Sequence, residues 1–390
     1  MVAVAAAGLL ALAVIGAVAR PRGLAEWVAP AVCVALAVAV GAARGSELSD
    51  AGTALAAPLA FLLLALPMAT LLDDAGVFTA AAAVAAGSRR AELGLWILAA
   101  VTVALCNLDA AVVLLTPLYV RIARLRGADP LGYALQPALL ACLASSALPV
   151  SNLTNLVVVA DTGVGAGALL AALGPPTLVA CTVGWFAWRR CWGSPPRRVD
   201  VEVPIDHAPL RLGACTAAYL VVGFTGGAEV GVPAWAVVAV AVLVLSVRAR
   251  RLPWRAVPVG TAVLAFALAV LAIAAAPAVH LDRLLDGASA VRAAVVGAGL
   301  ANIASNLPVV VVGLRSLGPD PSTVAVWGLL LGVNAGPTLL VTGSLSGLLW
   351  LTTVRREGLD VGAGDYFQAG VRVGLPAFAA AVLVLSFTAG

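Results

Sequence analysis

One carboxylate stands where lipid would be expected. Asp109 closes the tripeptide "NLD" (107–109) inside an apolar stretch that runs from 93 to 120. A carboxylate at the bilayer centre costs at least about 2.5 to 3.5 kcal/mol on insertion scales, so an acid kept there is a candidate carrier of a proton or cation. The alternative is a helix cap, with Asp109 accepting from the amides of a helix that starts near Ala110. Three further polar breaks interrupt apolar runs: "PVSNLTN" (149–155), "NIASNLP" (302–308) and "GVNAGPTLLVTGS" (332–344). Asn107, Ser151, Asn152, Thr154, Asn155, Ser305, Asn306, Asn334, Thr338 and Ser344 are the candidate ligands there. Their amides and hydroxyls donate and accept without carrying charge, which suits an ion or a small polar solute. The competing reading is that they only tie helices together, at under about 2 kcal/mol per bond. Asp73, Asp74, Asp161 and Glu229 fall at the ends of apolar runs, where a solvated boundary explains them. His207 and His280 lie in loops and support no metal site.

The elements that must position these groups are membrane helices. Hydrophobic residues make up 62% of the 390 and charged residues 11%, against about 25% charged in soluble domains. Hydropathy places spans at 2–19, 26–43, 53–72, 131–160, 166–188, 211–228, 233–247, 256–278, 322–354 and 366–388. The stretches 93–120 and 293–314 are too short for two crossings, which need about 40 residues, and each is read as a re-entrant hairpin. Spans 131–160 and 322–354 would be roughly 45 and 50 Å long as continuous helix, so each tolerates an unwound centre. On this topology 18 of the 23 basic residues, all of them Arg, fall on one side and 4 on the other, with Arg372 inside the last span. The Arg-rich side is cytoplasmic.

The expectation is an all-α polytopic membrane protein of about 10 transmembrane spans. It is an inverted repeat of five spans plus one re-entrant hairpin each, with two centrally unwound helices. The halves are 1–188 and 211–390, joined by a cytoplasmic linker at 189–210 whose "RRCWGSPPRRVDVEVPIDHAP" mixes charge with proline. Both termini then lie outside. The first apolar run lacks a basic leader and is read as a retained span rather than a signal peptide.

Several function classes are excluded or weakened. No Lys occurs anywhere, which removes a Walker or Schiff-base lysine. The cysteines show no C-x-x-C spacing and read as small apolar residues. No nucleophile, base and orienting group appear together, so an enzyme is not expected. Four discrete breaks, rather than a continuous polar stripe, argue against a channel, and a non-transporting scaffold is the other alternative of that kind. No cofactor and no nucleic-acid partner are implied.

At these breaks the chain resembles a known family. "NLDAAVVLLTPLYV" (107–120), "SNLTNLVVVAD" (151–161), "SNLPVVVVGLRS" (305–316), "GVNAGPTLLVTGSLSGLLWL" (332–351) and "DYFQAGVRVGLP" (365–376) look like the arsenite efflux permeases, the membrane subunits of arsenical pumps. These belong to the ion transporter superfamily, which shares the inverted-repeat fold. The resemblance covers most of 53–388 and implies export of arsenite or antimonite across the cell membrane in exchange for protons, with a soluble arsenical-pump ATPase as a possible partner. Asn107, Asp109, Thr116, Pro117, Ser151, Asn152, Asn155, Asn306, Pro308, Gly332, Gly336, Pro337, Gly343 and Ser344 match the family's motif positions. Four departures stand beside them: Ser305 replaces a usual Asn, Asn334 an Asp, Thr338 a Lys, and Leu340 with Val341 a Thr-Pro pair. One charge of each sign is thereby lost from the second half. A sodium/proton exchanger or an organic-anion carrier for dicarboxylate or citrate, from the same superfamily, is the alternative.

Overall fold

A computed structural model describes residues 2–19, 23–88, 90–193, 207–318 and 321–388, and every regular element among them is helical. The chain is an all-α polytopic membrane protein, the outcome expected when backbone groups in lipid must be satisfied within each segment. Most of the expected linker, together with Arg20, Arg22, Arg89, Arg197 and Arg198, lies outside the described residues.

The first half of the chain forms α1 (Val2–Ala19), α2 (Val28–Ala39), α3 (Gly45–Asp74), α4 (Val77–Gly87), α5 (Ala91–Cys106), α6 (Leu108–Arg126), α7 (Pro130–Leu143), α8 (Leu153–Thr162) and α9 (Ala166–Trp192). The second half forms α10 (His207–Glu229), α11 (Ala234–Ala249), α12 (Val259–Val279), α13 (Asp282–Leu285), α14 (Ala290–Ala304), α15 (Asn306–Leu317), α16 (Thr323–Ala335), α17 (Leu345–Arg356), α18 (Ala363–Ala369) and α19 (Leu375–Thr388). Among the described residues, five stretches are long and apolar enough to cross a bilayer: Gly45–Asp74, Ala166–Trp192, His207–Gly227, Trp254–Val279 and Ala363–Thr388. Both long polar-centred spans are broken. Between α7 and α8 the chain turns through a 3-10 turn at Pro149–Ser151, and between α16 and α17 through one at Gly336–Thr338.

Two elements differ from the sequence expectation. Helix α2 covers 12 residues, about 18 Å, where 26–43 was expected to be helical. It stops because the amides of Ala42 and Ala43 both turn back to the Ala37 carbonyl across Gly41, whose φ is 70°. Helix α4 was not anticipated; its run "VFTAAAAVAAG" is apolar and alanine-rich, but its 11 residues are too few to read as a membrane span.

Helix pairs recur when the halves are exchanged. The arms α5 and α6 pack together, as do α14 and α15; α6 packs on α17, and α15 on α8; α3 meets α12, and α9 meets α19. The tightest pair is α14 with α16. Gly328, Gly332 and Gly336 face Ala290, Ala294 and Ala298, and a Cβ on Gly328 or Gly332 would fall on the Ala290 or Ala294 carbonyl oxygen. Small residues four apart permit this approach, and with it close van der Waals contact between helices that lipid does not drive together. Indole N–H groups lock the remaining seams: Trp188 Nε1 donates to the Gly132 carbonyl at 2.7 Å, Trp350 Nε1 to Ala134 at 2.8 Å and Trp96 Nε1 to Cys181 at 3.1 Å. Between α18 and α19 a π-helical turn at Gly370–Gly374 lets the chain pass over Thr338.

Candidate functional site

Each hairpin turns at a residue in a conformation that side chains rarely adopt. Asn107, between α5 and α6, has φ 90° and ψ 151°; Ser305, between α14 and α15, has φ 69° and ψ 156°. This region is essentially reserved for glycine and costs about 1 to 3 kcal/mol elsewhere, so both turns are strained in the same way. Asn107 is also the cap of α6, its Oδ1 accepting from the Asp109 amide at 2.9 Å. The cap role considered for Asp109 therefore belongs to Asn107, and the Asp109 side chain is left for another use. Its Oδ1 is buried with no hydrogen-bond partner.

Four helices begin around one cavity. Leu108 of α6, Leu153 of α8, Asn306 of α15 and Leu345 of α17 are each first residues of their helices, and all four line it. The cavity holds about 70 Å³. Since a water molecule needs roughly 10 to 15 Å³ by the same measure, it has room for a solute of a few heavy atoms. Its polar wall is Asp109, Asn152, Thr154, Ser305, Asn306 and Ser344, completed by Thr342 and Thr261; Asp109 is the one ionisable residue among those lining it. The rest of the lining comes from α1, α3 and α12 and, Thr261 of α12 apart, is apolar, including Val14, Leu62 and Leu268. A helix start carries about half a positive charge and free amides, so the arrangement concentrates positive potential and N–H donors beside a single carboxylate.

The remaining candidates stand behind this wall. Asn334 is a hub: its Oδ1 accepts from Asn152 Nδ2 at 2.9 Å and Thr154 Oγ1 at 2.6 Å, and its Nδ2 donates to Asn155 Oδ1 at 2.6 Å. Asn155 Nδ2 in turn donates to the Ser145 and Leu148 carbonyls at 2.8 and 2.7 Å, and Ser151 Oγ donates to the same two, at 2.7 Å each. These groups are all buried, and they splice the unwound centre of one broken span to that of the other. Thr338 Oγ1 donates within its own turn to Ala335. The structure thus brings Asp109, Asn152, Thr154, Ser305, Asn306 and Ser344 together, and sets Asn107, Ser151, Asn155 and Asn334 one layer back as the groups that brace them; Thr338 does not line the cavity and bonds within its own turn.

Three residues of this region carried little or no sequence signal. Asn302, inside the quoted "NIASNLP", anchors the second break: Nδ2 donates to Gly336 at 2.9 Å while Oδ1 accepts from the Leu340 amide at 2.9 Å. Thr342 lay within a flagged motif without being singled out. Thr261 is an isolated hydroxyl in an apolar helix, and nothing in its neighbours distinguishes it.

The citrate transporter family (CitMHS) matches residues 1–335. Curated relatives include the arsenical pump membrane proteins of Yersinia enterocolitica and of Escherichia coli strain K12, each 27% identical over 98% of this chain and 99% of its own length. Among solved structures, the Alcanivorax borkumensis YdaH transporter aligns over 85% of each chain with 14% identity and a TM-score of 0.49. A match over most of the length makes the chain a member of the citrate transporter family, a multi-pass membrane transporter.

Proposed function

We propose that this protein is a secondary transporter that exports arsenite or antimonite by alternating access in exchange for protons, with Asp109 as the proton carrier. The observation that carries the reading is the convergence of four helix starts and one unpartnered carboxylate on a cavity of about 70 Å³. As(OH)3 is neutral at physiological pH and has four non-hydrogen atoms; its hydroxyls can donate to Asp109 and to the Asn and Ser oxygens while its oxygens accept from the helix-start amides. The relatives named as arsenical pump membrane proteins support the same solute. The exchange of helix pairs between halves supports an inverted repeat, 1–188 against 211–390, with the linker on the Arg-rich cytoplasmic side and both termini outside. In that arrangement the hairpins and broken spans move against α1, α3 and α12, whose apolar side chains form the opposite wall. A soluble ATPase remains a candidate partner at the cytoplasmic face.

The test is arsenite uptake into everted membrane vesicles with and without an imposed proton gradient. Accumulation abolished by an uncoupler and by Asp109→Asn supports the reading. Coupled uptake by a fully expressed Asp109→Asn protein excludes Asp109 as the carrier. A second reading, an organic-anion carrier, draws on the positive helix starts and on the family's name. Cavity size opposes it in this conformation, since a tricarboxylate has roughly three times as many heavy atoms as arsenous acid. Citrate-driven flux in vesicles inert toward arsenite would establish it.

A further inference from the structure

Buried polar groups without partners are rare, because each costs about 1 to 3 kcal/mol, yet here they gather in one part of the fold. Among the described residues the unpartnered atoms are Asp109 Oδ1, Thr116 Oγ1, both amide atoms of Gln136, Ser146 Oγ, Ser246 Oγ and Tyr366 Oη. All but the Ser246 atom belong to α6, α7, α18 or the turn after α7; α6 and α7 pack on each other and on α17, and Tyr366 of α18 lies against Trp350 of α17 with ring centroids 5.4 Å apart. The placement is graded in depth. At 1.5 Å per residue Gln136 lies about 9 Å from the start of α7, Thr116 about 15 Å from the end of α6 and Asp109 about 26 Å from it. That start and that end are joined by the short Arg-rich-side connection 127–129. One turn nearer that face than Gln136, the Tyr133 hydroxyl meets Arg126 and Glu92. From the cavity side, Ser344 of the wall faces Cys142, which in turn faces the Tyr366 hydroxyl.

We propose that Thr116, Gln136 and Tyr366 line a proton track between Asp109 and the Arg-rich face, with the Tyr133–Glu92–Arg126 cluster at its mouth. The proposal rests on Asp109 being the proton carrier. The hydroxyls pass protons on through bridging waters, each accepting a proton on one side and giving one up on the other so that no charge is left behind, while the Gln136 amide orients those waters with its N–H and C=O and is not itself protonated. Gln136 is the informative residue. It is fully buried in the apolar run "LQPALLACL", where a leucine of similar volume would avoid two unmet hydrogen-bonding groups.

The test uses the full chain in proteoliposomes, with internal pH followed while arsenite is added. Gln136→Leu, Thr116→Val and Tyr366→Phe are compared with Asp109→Asn. Arsenite-coupled proton flux at least tenfold slower in Gln136→Leu and Tyr366→Phe, with a larger solvent isotope effect and arsenite affinity within twofold of native, supports the track. A purely structural role would leave the isotope effect unchanged. Flux within twofold of native in all three, alongside an inactive Asp109→Asn, overturns the track and leaves the carrier reading intact. No arsenite-coupled flux in the native protein, or full flux in Asp109→Asn, overturns both. Tyr366→Phe removes one oxygen and no ring volume, so it decides the matter should Gln136→Leu fail to fold.

Discussion

Replacing Asn334 with alanine isolates what holds the two broken spans together. The native amide makes three interhelical hydrogen bonds, to Asn152, Thr154 and Asn155, none longer than 2.9 Å. Measured interhelical bonds in membranes average about 0.6 kcal/mol and reach about 1.7, so losing three predicts a destabilisation of about 2 kcal/mol, near thirtyfold in the folding equilibrium. Thr154→Val removes only one of the three bonds to Asn334, the one from Thr154 Oγ1, and predicts about 0.6 kcal/mol by the same scale. Asn155 cannot compensate by flipping its amide, because its Nδ2 is already committed to the Ser145 and Leu148 carbonyls. Reversible unfolding in mixed detergent micelles reads both numbers, and a double-mutant cycle between Asn334 and Asn155 reads their coupling. Equal effects of Asn334→Ala and Thr154→Val, with no coupling to Asn155, would refute the hub.

Other perturbations separate strain, packing and surface charge. Ser305→Gly relieves the φ of 69° at a turn where Ser makes no side-chain cap bond, and is expected to raise thermal stability by about 1 kcal/mol while slowing transport through the lost hydroxyl; a lowered melting temperature would contradict the strain assignment. Gly332→Val is expected to lower stability by about 1 to 3 kcal/mol in detergent melts, because its side chain would meet the Ala294 backbone, whereas Gly299→Ala, with open space around it, raises stability by up to about 1. Arg315 and Asp50 pair at 3.0 Å but are about half exposed, so Arg315→Ala changes stability by less than about 1 kcal/mol, and the change shrinks further in high salt.

What was legible in the sequence follows from how strongly lipid punishes polarity. A Pro, Gly or Asn inside an apolar run has few explanations, and "NLD", "NIASNLP", "PVSNLTN" and "GVNAGPTLLVTGS" all coincide with real breaks, at Asn107, Ser305, 144–152 and 336–344. The facing of each side chain was not legible. Helical periodicity ends where the helix unwinds, so the three-residue spacing of Asn152 and Asn155 no longer says that they share a face. Both reach Asn334, but Asn152, extended at φ −147°, also lines the cavity, whereas Asn155 in the first turn of α8 does not. Thr261 and Gln136 escaped for the opposite reason: each is a lone polar residue in an unbroken apolar helix, and only tertiary packing shows what it meets.

The electrostatics of the cavity tie the coupling ion to the solute. Four helix starts contribute about +2 in total, partly offset by the caps Asn107, Asn152 and Ser344, which accept from first-turn amides. Ionised Asp109 leaves the site near +1, and protonated Asp109 leaves it nearer +2. An anion therefore binds better when Asp109 is protonated, and would travel with its proton. A neutral hydroxylated solute behaves the other way. Its donation to an ionised carboxylate is worth about 1.5 to 3 kcal/mol, against about 0.5 to 1.5 for a neutral acceptor, so protonation weakens its binding by about 1.4 kcal/mol, or tenfold. Proton and neutral solute then exclude one another at one residue, which is the thermodynamic condition for exchange. On the proposed mechanism this cavity would exchange a neutral solute for protons or carry an anion together with them, and whether solute binding releases or takes up a proton distinguishes the two.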